Sequence, residues 1–301
     1  MASTIHEATL ADDRRHVPGP GALPLWNESF WFTWYDPTTT VGVVFRVGSH
    51  PLQDAANLYL FITHGGAVVH SLIDHAIPLA PMAPQRLQLA SGLTLDWEPL
   101  ERFRLTYAHA GHGFDVVWQG MSPTHLYPHP PDSTAEQVPF HIEHAATVTG
   151  TVTIQGRTHP VRALAHRDHS WGGERDWSKM WHWDYLSAEF APDLWMHAVR
   201  IKFAPDMDWI MLGCLWDGRQ IHAAQDITIE ATYADGGTRQ TGVDLHFADE
   251  GGKRWRFVGE AVLVNLCVPF GRTWLKDGIT RYRCGDRIGY GIHELGYVEP
   301  A

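Results

Sequence analysis

Hydrophobic and polar residues alternate with a period of two along most of the chain. The clearest case is residues 147–154, where threonines at the odd positions alternate with Val148, Gly150, Val152 and Ile154. Successive side chains of a β-strand point to opposite faces, so this pattern predicts a strand with one buried face. Similar runs occur at Val41–Val47, Leu58–Thr63, Phe114–Trp118, Leu194–Phe203, Trp209–Trp216, Ile227–Tyr233 and Arg254–Val264.

Turn-forming pairs such as Gly65-Gly66 and Asp217-Gly218 separate these runs, and sustained helical spacing is missing. The best helical candidate is a short polar stretch near the N-terminus. Many short antiparallel strands predict an all-β fold of barrels or sandwiches. Since 301 residues exceed one small barrel, we expect two β-units packed together, residues 1–176 and 177–301, joined near Trp177.

Composition narrows the class of protein. The net charge of −11 disfavours nucleic-acid binding and adhesion to anionic membranes, and 44% hydrophobic residues exclude a disordered chain. We see neither a secretory signal nor an apolar run near the ~20 residues of a membrane helix. Three cysteines without a CxxC motif indicate a reduced compartment. We therefore expect a soluble, cytoplasmic protein without stable membrane insertion.

The chain is rich in histidine (20) and tryptophan (14), and seven tryptophans fall between Trp171 and Trp216. The densest polar and aromatic stretch runs from Val161 to Trp177. On a strand, Arg167, His169 and Trp171 would project to one face, with His166, Asp168 and Ser170 on the other.

The strands that follow carry a similar mixture. Trp181, Trp183 and Tyr185 would share one face of the next strand, with Asp184 opposite, and Trp195 and His197 would share a face of Leu194–Phe203. If these strands are neighbours, imidazoles, carboxylates and indole rings converge at one mouth.

This mixture suits acid–base chemistry on an apolar molecule. A carboxyl or imidazole beside apolar rings loses hydration, which moves its pKa toward neutrality. A positioned acid or base contributes about 10²–10⁴ in rate, and an indole face stabilises a developing cation by about 2 kcal/mol. Protonation of an alkene or polarisation of an enone, followed by water addition or cyclisation, fits these groups.

Other interpretations compete with this one. His166 and His169 with Asp168 have ligand-like spacing, but on a strand the two histidines point apart, and no HExxH motif occurs. GxSxG and dinucleotide-binding glycine motifs are missing as well, so we expect no metal and no cofactor. A structural ion pair of Asp168 with Arg167 stays equally open. Glu294, beside His293, either lines the second unit or faces outward.

The sequence also resembles a known group. Asn27-Glu28-Ser29-Phe30, Tyr35-Asp36-Pro37, Arg167-Asp168-His169-Ser170-Trp171-Gly172, Trp181-His182-Trp183 and the terminal Gly289-x-Gly-Ile-x-Glu294 carry the resemblance. They are similar to the two-domain lipocalin-like superfamily of carotenoid hydratases, kievitone hydratase and fungal Diels–Alderases. Only the Asp-His-x-Trp-Gly core is specific.

This resemblance implies two lipocalin-like β-barrels, an apolar pocket and no organic cofactor. In the carotenoid hydratases a His and a Trp of this core, with a Tyr and an Asp of a following strand, are linked to acid-catalysed water addition. His169 and Trp171 match. The Tyr-x-Asp pair does not, because the corresponding stretch reads Trp195-Met196-His197-Ala198; Asp184 or His197 replaces the missing acid, or the reaction differs.

Our leading hypothesis is a cofactor-independent hydratase or dehydratase acting on a hydrophobic isoprenoid, steroid or polyketide-like molecule. Asp168 or Asp184 would donate the proton, and His169 would orient it or activate water, with His197 as a further candidate. The residues expected to bind substrate are Trp171, Trp181, Trp183, Tyr185, Trp195 and Glu294. An isomerase or cyclase and a non-catalytic carrier remain alternatives, and self-association into a homo-oligomer stays open.

Overall fold

The computed structural model describes residues 6–79, 83–130 and 132–299, and these residues are nearly all in β-strands. The prediction of an all-β fold is confirmed. The first strands are β1 (His6–Glu7), β2 (Glu28–Asp36), β3 (Val41–His50), β4 (Ala55–His64), β5 (Ala67–Pro78), β6 (Arg86–Gln88), β7 (Thr94–Glu98), β8 (Arg102–His109), β9 (His112–Gly120), β10 (His125–Leu126), β11 (Pro139–Ile154) and β12 (Arg157–Gly172).

The remaining strands begin after residue 181 and form a second sheet. They are β13 (His182–Ala191), β14 (Leu194–Lys202), β15 (Ile210–Trp216), β16 (Ile221–Ala223), β17 (Gln225–Ala234), β18 (Arg239–Ala248), β19 (Arg254–Phe270), β20 (Thr273–Cys284) and β21 (Arg287–Val298). Short 3-10 turns lie at Pro51–Gln53, Trp177–Lys179 and Asp235–Gly237. The polar stretch near the N-terminus is not helical over its described residues, so that expectation was wrong. Among the described residues, no helix is long and apolar enough to cross a membrane.

The chain divides into two compact units, which we call the N-terminal unit (residues 6–175) and the C-terminal unit (residues 176–299). Both are curled antiparallel sheets. The strand order of the first sheet is β5-β4-β3-β2-β12-β11-β9-β8-β7-β6, and β10 pairs with both β1 and β11. The strand order of the second sheet is β16-β15-β14-β13-β21-β20-β19-β18-β17. Every segment that the period of two predicts as a strand lies within an observed strand or overlaps one.

A tight hairpin connects the two longest strands of the N-terminal unit. Gln155 and Gly156 both have positive φ (51° and 76°), as a two-residue turn of the hairpin type requires. The turn fixes the register of β11 against β12 over 16 residue pairs, from Ile154↔Arg157 to Pro139↔Gly172. β12 pairs on its other side with β2, so its residues 165–171 lie between two strands.

Each unit has its own apolar core on one face of its sheet. In the N-terminal unit this core includes Phe30, Phe32, Phe103 and Trp118, and in the C-terminal unit Leu186, Met196 and Phe257. The face of a strand that points toward such a core is called here the core face, and the other is called the opposite face.

Candidate functional site

The alternation of β12 places its polar residues on two different faces. Arg167 and His169 lie on the core face, where both contact the carboxylate of Asp13. His166 and Asp168 lie on the opposite face, where Glu143 of β11 binds the His166 ring and stands directly across from Asp168. Asp168 and His169 therefore belong to separate environments, and His169 is oriented away from the predicted proton donor.

On the opposite face, Asp168 is part of a row of six residues that crosses six neighbouring strands. In antiparallel sheets, residues in register share a face. Successive register pairs define the row as Tyr59, Arg46, Trp31, Asp168, Glu143 and His125. All are buried except Asp168, which is partly exposed. The row places an indole on one side of the aspartate and a carboxylate on the other.

Glu143 connects two histidines on this face. Its Oε1 lies 2.6 Å from His141 Nε2, and its Oε2 lies 2.7 Å from His166 Nε2. Glu143 and His166 are fully buried, whereas the His141 side chain is 27% exposed. Burial alone would lower the pKa of His141, but the charge and hydrogen bond of Glu143 raise it. His141 is thus the water-accessible end of a hydrogen-bonded chain that runs through Glu143 to His166.

The carboxyl of Asp168 is held closer to its neutral form than an ordinary aspartate. Burial raises the pKa of Asp168. The charge of His141 lowers this pKa, and the negative charge of Glu143, its register partner on β11, raises it. The net direction is upward from the usual 3.8. A carboxyl whose pKa is raised keeps its proton to a higher pH than an ordinary aspartate, which is the direction that a general acid requires.

On the core face, Arg167 and Asp13 form a bidentate ion pair. The two guanidinium nitrogens lie 2.8 and 2.7 Å from the Asp13 oxygens, and both side chains are fully buried. The guanidinium also lies 4.6 Å from the Phe103 ring centre and 5.1 Å from that of Trp118. The Arg167-Asp168 dipeptide is therefore not an ion pair with itself, because Arg167 is paired with Asp13.

His169 lies between two carboxylates. Its Nδ1 is 3.2 Å from Asp13 Oδ1 and its Nε2 is 3.2 Å from Glu28 Oε1. Burial alone would lower its pKa, but hydrogen bonds and charge from both carboxylates raise it. Glu28 is also bound by Arg15 and His16, and these contacts outweigh its burial and lower its pKa to about 2.

Trp171 completes this core-face group. Its ring is stacked on His16, with ring centres 4.3 Å apart, and lies 5.6 Å from Phe140. His16 is the partly accessible member of the group, since its side chain is 20% exposed. We call His16, Glu28 and His169 the core-face triad, and His141, Glu143 and His166 the opposite-face triad.

In the C-terminal unit, Asp184 is a fixed carboxylate. It accepts hydrogen bonds from Arg200 Nε (2.7 Å), the Tyr233 hydroxyl (2.6 Å) and His293 Nε2 (2.8 Å). Burial alone would raise its pKa, but the nearby His182 ring (3.7 Å), the hydrogen bond from His293 and the charge of Arg200 hold it well below the usual range. Such a carboxylate stays ionised at neutral pH, so its geometry does not favour it as a proton donor.

The other predicted residues of the C-terminal unit mostly share the opposite face of β13, β14 and β21. Trp183 Nε1 donates a 2.5 Å hydrogen bond to Glu294, and the Tyr185 ring lies 4.3 Å from that of His197. Trp195 is fully buried, whereas Trp181, which precedes β13, is 39% exposed. Since β13 pairs with β14 and β21, these residues belong to a different sheet from β12.

A recess of about 600 Å³ lies elsewhere on the N-terminal unit, at the hairpin of β8 and β9. Its lining includes Tyr107, His109 and His112 and contains none of the predicted site residues, all of which lie in the described part of the chain.

Sequence reasoning missed several partners of the β12 residues, among them Asp13, His16, Glu28, Glu143 and Trp31. Asp13, His16 and Glu28 come from the N-terminal segment and β2, more than 140 positions from their partners on β12. Glu143 and Trp31 meet Asp168 only through strand register. One signal was available: His141 and Glu143 alternate on a strand, which places a base and a carboxylate on one face.

The two curled antiparallel sheets give the chain a two-unit lipocalin-like fold. The chain belongs to the family described as a domain of unknown function, DUF7064, whose model matches residues 9–298. Among curated protein sequences, none matches this chain significantly.

Solved structures share the fold at low sequence identity. A Nitrosomonas europaea protein that carries the name AttH has a TM-score of 0.69 at 16% identity, over 94% of this chain and 100% of its own. CghA with Sch210972 has a TM-score of 0.69 at 14% identity, over 97% of this chain and 96% of its own. Kievitone hydratase from Nectria haematococca has a TM-score of 0.60 at 12% identity, over 98% of this chain and 96% of its own. The predicted resemblance to the lipocalin-like group is thus confirmed as a likeness of fold.

Proposed function

We propose that this protein is an enzyme, a hydro-lyase that adds water to, or removes it from, a C=C bond of a hydrophobic isoprenoid, steroid or polyketide-like molecule. The observation that carries the proposal is the register row in which Asp168 stands between Trp31 and Glu143. The row brings an acid, a cation-stabilising ring and a second carboxylate together on one face of the sheet.

In the hydration direction, Asp168 donates its proton to one alkene carbon, and the positive charge develops on the other. The Trp31 indole stabilises that charge by about 2 kcal/mol when water is largely excluded. Water then forms the new C–O bond and releases one proton. Asp168 recovers this proton, directly or through His141 and Glu143, so that the protein returns to its starting state.

His141 suits the transfer of this proton because it is partly exposed and hydrogen-bonded to buried Glu143. The similarity in fold to kievitone hydratase supports water addition as the reaction class, and the Trp31 indole beside the acid supports an apolar substrate. Trp183, Tyr185, Trp195 and Glu294 remain proposed ligand contacts within the C-terminal unit itself, separate from the step at Asp168.

An isomerase or cyclase is the second candidate, and the similarity in fold to CghA favours it. Such an enzyme would accelerate its reaction by shape and hydrogen bonding, so its rate would not depend on a protonated Asp168. A carrier would bind the same molecule without changing it.

Oxygen-18 water separates these functions. Hydrophobic molecules that co-purify with the full chain are identified by native mass spectrometry and offered to the enzyme in labelled water. A hydro-lyase incorporates one labelled oxygen per turnover or, in reverse, releases water from the alcohol. A product isomeric with its substrate and free of label indicates the isomerase, and an unchanged ligand indicates the carrier; either result contradicts the proposal.

A further inference from the structure

The core-face triad has the donor set of a metal site, which the reaction proposed at Asp168 does not use. His16 Nδ1 and His169 Nε2 each lie 3.2 Å from the same oxygen, Glu28 Oε1. One donor atom from each of the three residues lies within 4.8 Å of the other two. Two imidazoles and one carboxylate form a donor set that divalent transition metals prefer.

The distances within the core-face triad are compatible with a shared ion. A hydrogen bond between a charged imidazole and a carboxylate is about 2.7–2.9 Å long. Two donor atoms at about 2.1 Å from one tetrahedral ion stand about 3.4 Å apart. The 3.2 Å separations in the core-face triad are long for such hydrogen bonds, and they are also close to the spacing of two donors that share one ion.

The opposite-face triad provides an internal comparison. It has the same composition, but His141 and His166 bind different oxygens of Glu143, at 2.6 and 2.7 Å. These are hydrogen-bond distances, and the two imidazoles do not converge on one point. Of the two triads, both fully described, only the one around Glu28 brings its donor atoms within 4.8 Å of one another.

Outer contacts orient each donor of the core-face triad. His169 donates from Nδ1 to Asp13, which Arg167 holds, so Nε2 faces Glu28. Carboxylate–histidine contacts of this kind orient most metal-binding histidines. Glu28 Oε2 accepts from Arg15 at 2.6 Å, and the His16 backbone N–H donates to Oε1 at 2.7 Å.

Ring stacking fixes the planes of both imidazoles. His16 lies parallel to Trp171, with a 1° angle between the rings, and His169 stacks on Phe30 at 4.0 Å. The positions of all three donors are therefore determined before any ion binds, which lowers the entropic cost of binding.

We propose that His16 Nδ1, Glu28 Oε1 and His169 Nε2 bind one divalent transition-metal ion, with Zn²⁺ as the probe. The ion takes the place of the protons that the two rings direct at Glu28. His169 releases one proton to water, and His16 moves its proton to Nε2. The negative charges of Asp13 and Glu28 are already balanced by the positive charges of Arg15 and Arg167. The bound ion therefore retains a net positive charge, and water completes its coordination. The site is independent of Asp168, which lies on the opposite face of β12.

Zinc titration by calorimetry tests this site in the full chain after treatment with a chelator. We expect one tight site per chain. His16→Asn retains a side-chain donor to Glu28 but removes the imidazole ligand. Its zinc affinity should fall by more than the about 10–100-fold that loss of an outer contact costs. His16 is partly exposed and lies outside the strands, and thermal unfolding verifies that the variant is folded.

His141→Asn is the matched control, because it changes the equivalent histidine of the opposite-face triad. Its zinc affinity should equal that of the parent chain. Equal affinity in the parent chain and in His16→Asn would mean that zinc binds elsewhere among the 20 histidines, and would overturn the proposal.

Cobalt provides a measurement that does not depend on any variant. Co²⁺ bound by two imidazoles and a carboxylate should give visible d–d absorption that saturates at one ion per chain, and an unchanged aqua-ion spectrum would also overturn the proposal. Neither assay uses a substrate. Failure of metal binding therefore leaves the labelled-water result standing, and metal binding without turnover would contradict only the proposed reaction.

Discussion

Asp168 and Asp184 are the two aspartates that the sequence predicts as proton donors, and their surroundings in the two units shift their pKa values in opposite directions. Asp184 accepts hydrogen bonds from Arg200, Tyr233 and His293, and its pKa lies well below the usual range. Asp168 faces Glu143 across the strand, and its pKa is raised. Both residues are aspartates on strands, and their neighbours determine the direction in which each pKa shifts.

The side of the sheet explains this difference. Asp184 lies on the core face of β13, together with Leu186 and Ala188, where an unpaired charge would be costly. Its partners neutralise it permanently. Asp168 lies on the face opposite the core, where its neighbours are both charged and aromatic. A core-face aspartate thus serves stability, whereas the opposite face leaves an aspartate free to react.

Replacement of the proposed acid should have the largest effect on turnover. Asp168→Asn keeps the shape of the side chain but cannot donate the proton, so kcat should fall by about 10²–10⁴-fold. Steady-state kinetics with the identified substrate measures this loss. Asp115→Asn, a change at an exposed carboxylate of the same unit, serves as the control and should keep parental turnover. A fully active Asp168→Asn enzyme would rule out Asp168 as the acid.

The equivalent change in the C-terminal unit should act on folding instead. Asp184→Ala leaves Arg200 and His293 without their shared partner and should lower the free energy of unfolding by about 3 kcal/mol or more. Urea denaturation followed by tryptophan fluorescence measures this loss. Asp168→Asn should not reduce stability in the same assay, since it removes a carboxyl whose charged form is disfavoured by burial. Equal losses in both variants would contradict the comparison.

The pH dependence of stability should differ in sign between the two aspartates. The folded pKa of Asp184 lies below 3.8, so its stabilising contribution is present above that pH and is lost as the pH falls. The folded pKa of Asp168 lies above 3.8, so its contribution is present below that pH and is lost as the pH rises through the raised pKa. Denaturation curves across this range, compared with those of the two variants, should show opposite changes in slope.

The smallest effect is expected at Ser170, which shares the face of Asp168. Its hydroxyl lies 2.9 Å from that of Ser29 and accepts from Arg175 at 3.1 Å. Ser170→Ala should lower the free energy of unfolding by about 1 kcal/mol, the usual value for one such contact. A much larger loss of turnover than of stability would add Ser170 to the reacting groups.

Local pattern was sufficient to predict the strands and the two faces of β12, because alternation is a property of neighbouring residues. It failed where partners are distant in sequence. The expectation that β12 lies beside the strand of Trp183 and Asp184 was wrong: β12 pairs with β2 and β11, and β13 belongs to the other sheet. Glu143 and Trp31 reach Asp168 only through these pairings, which no single stretch of sequence reveals.

The ion pair between Asp13 and Arg167 has a consequence for synthesis of the chain. Its partners are separated by 154 positions, so Asp13 leaves the ribosome long before Arg167 exists. Until β12 has been made, the N-terminal segment has no partner on that strand and stays hydrated. The N-terminal unit can therefore complete its folding only after β12 has left the ribosome, while the C-terminal unit is still being made.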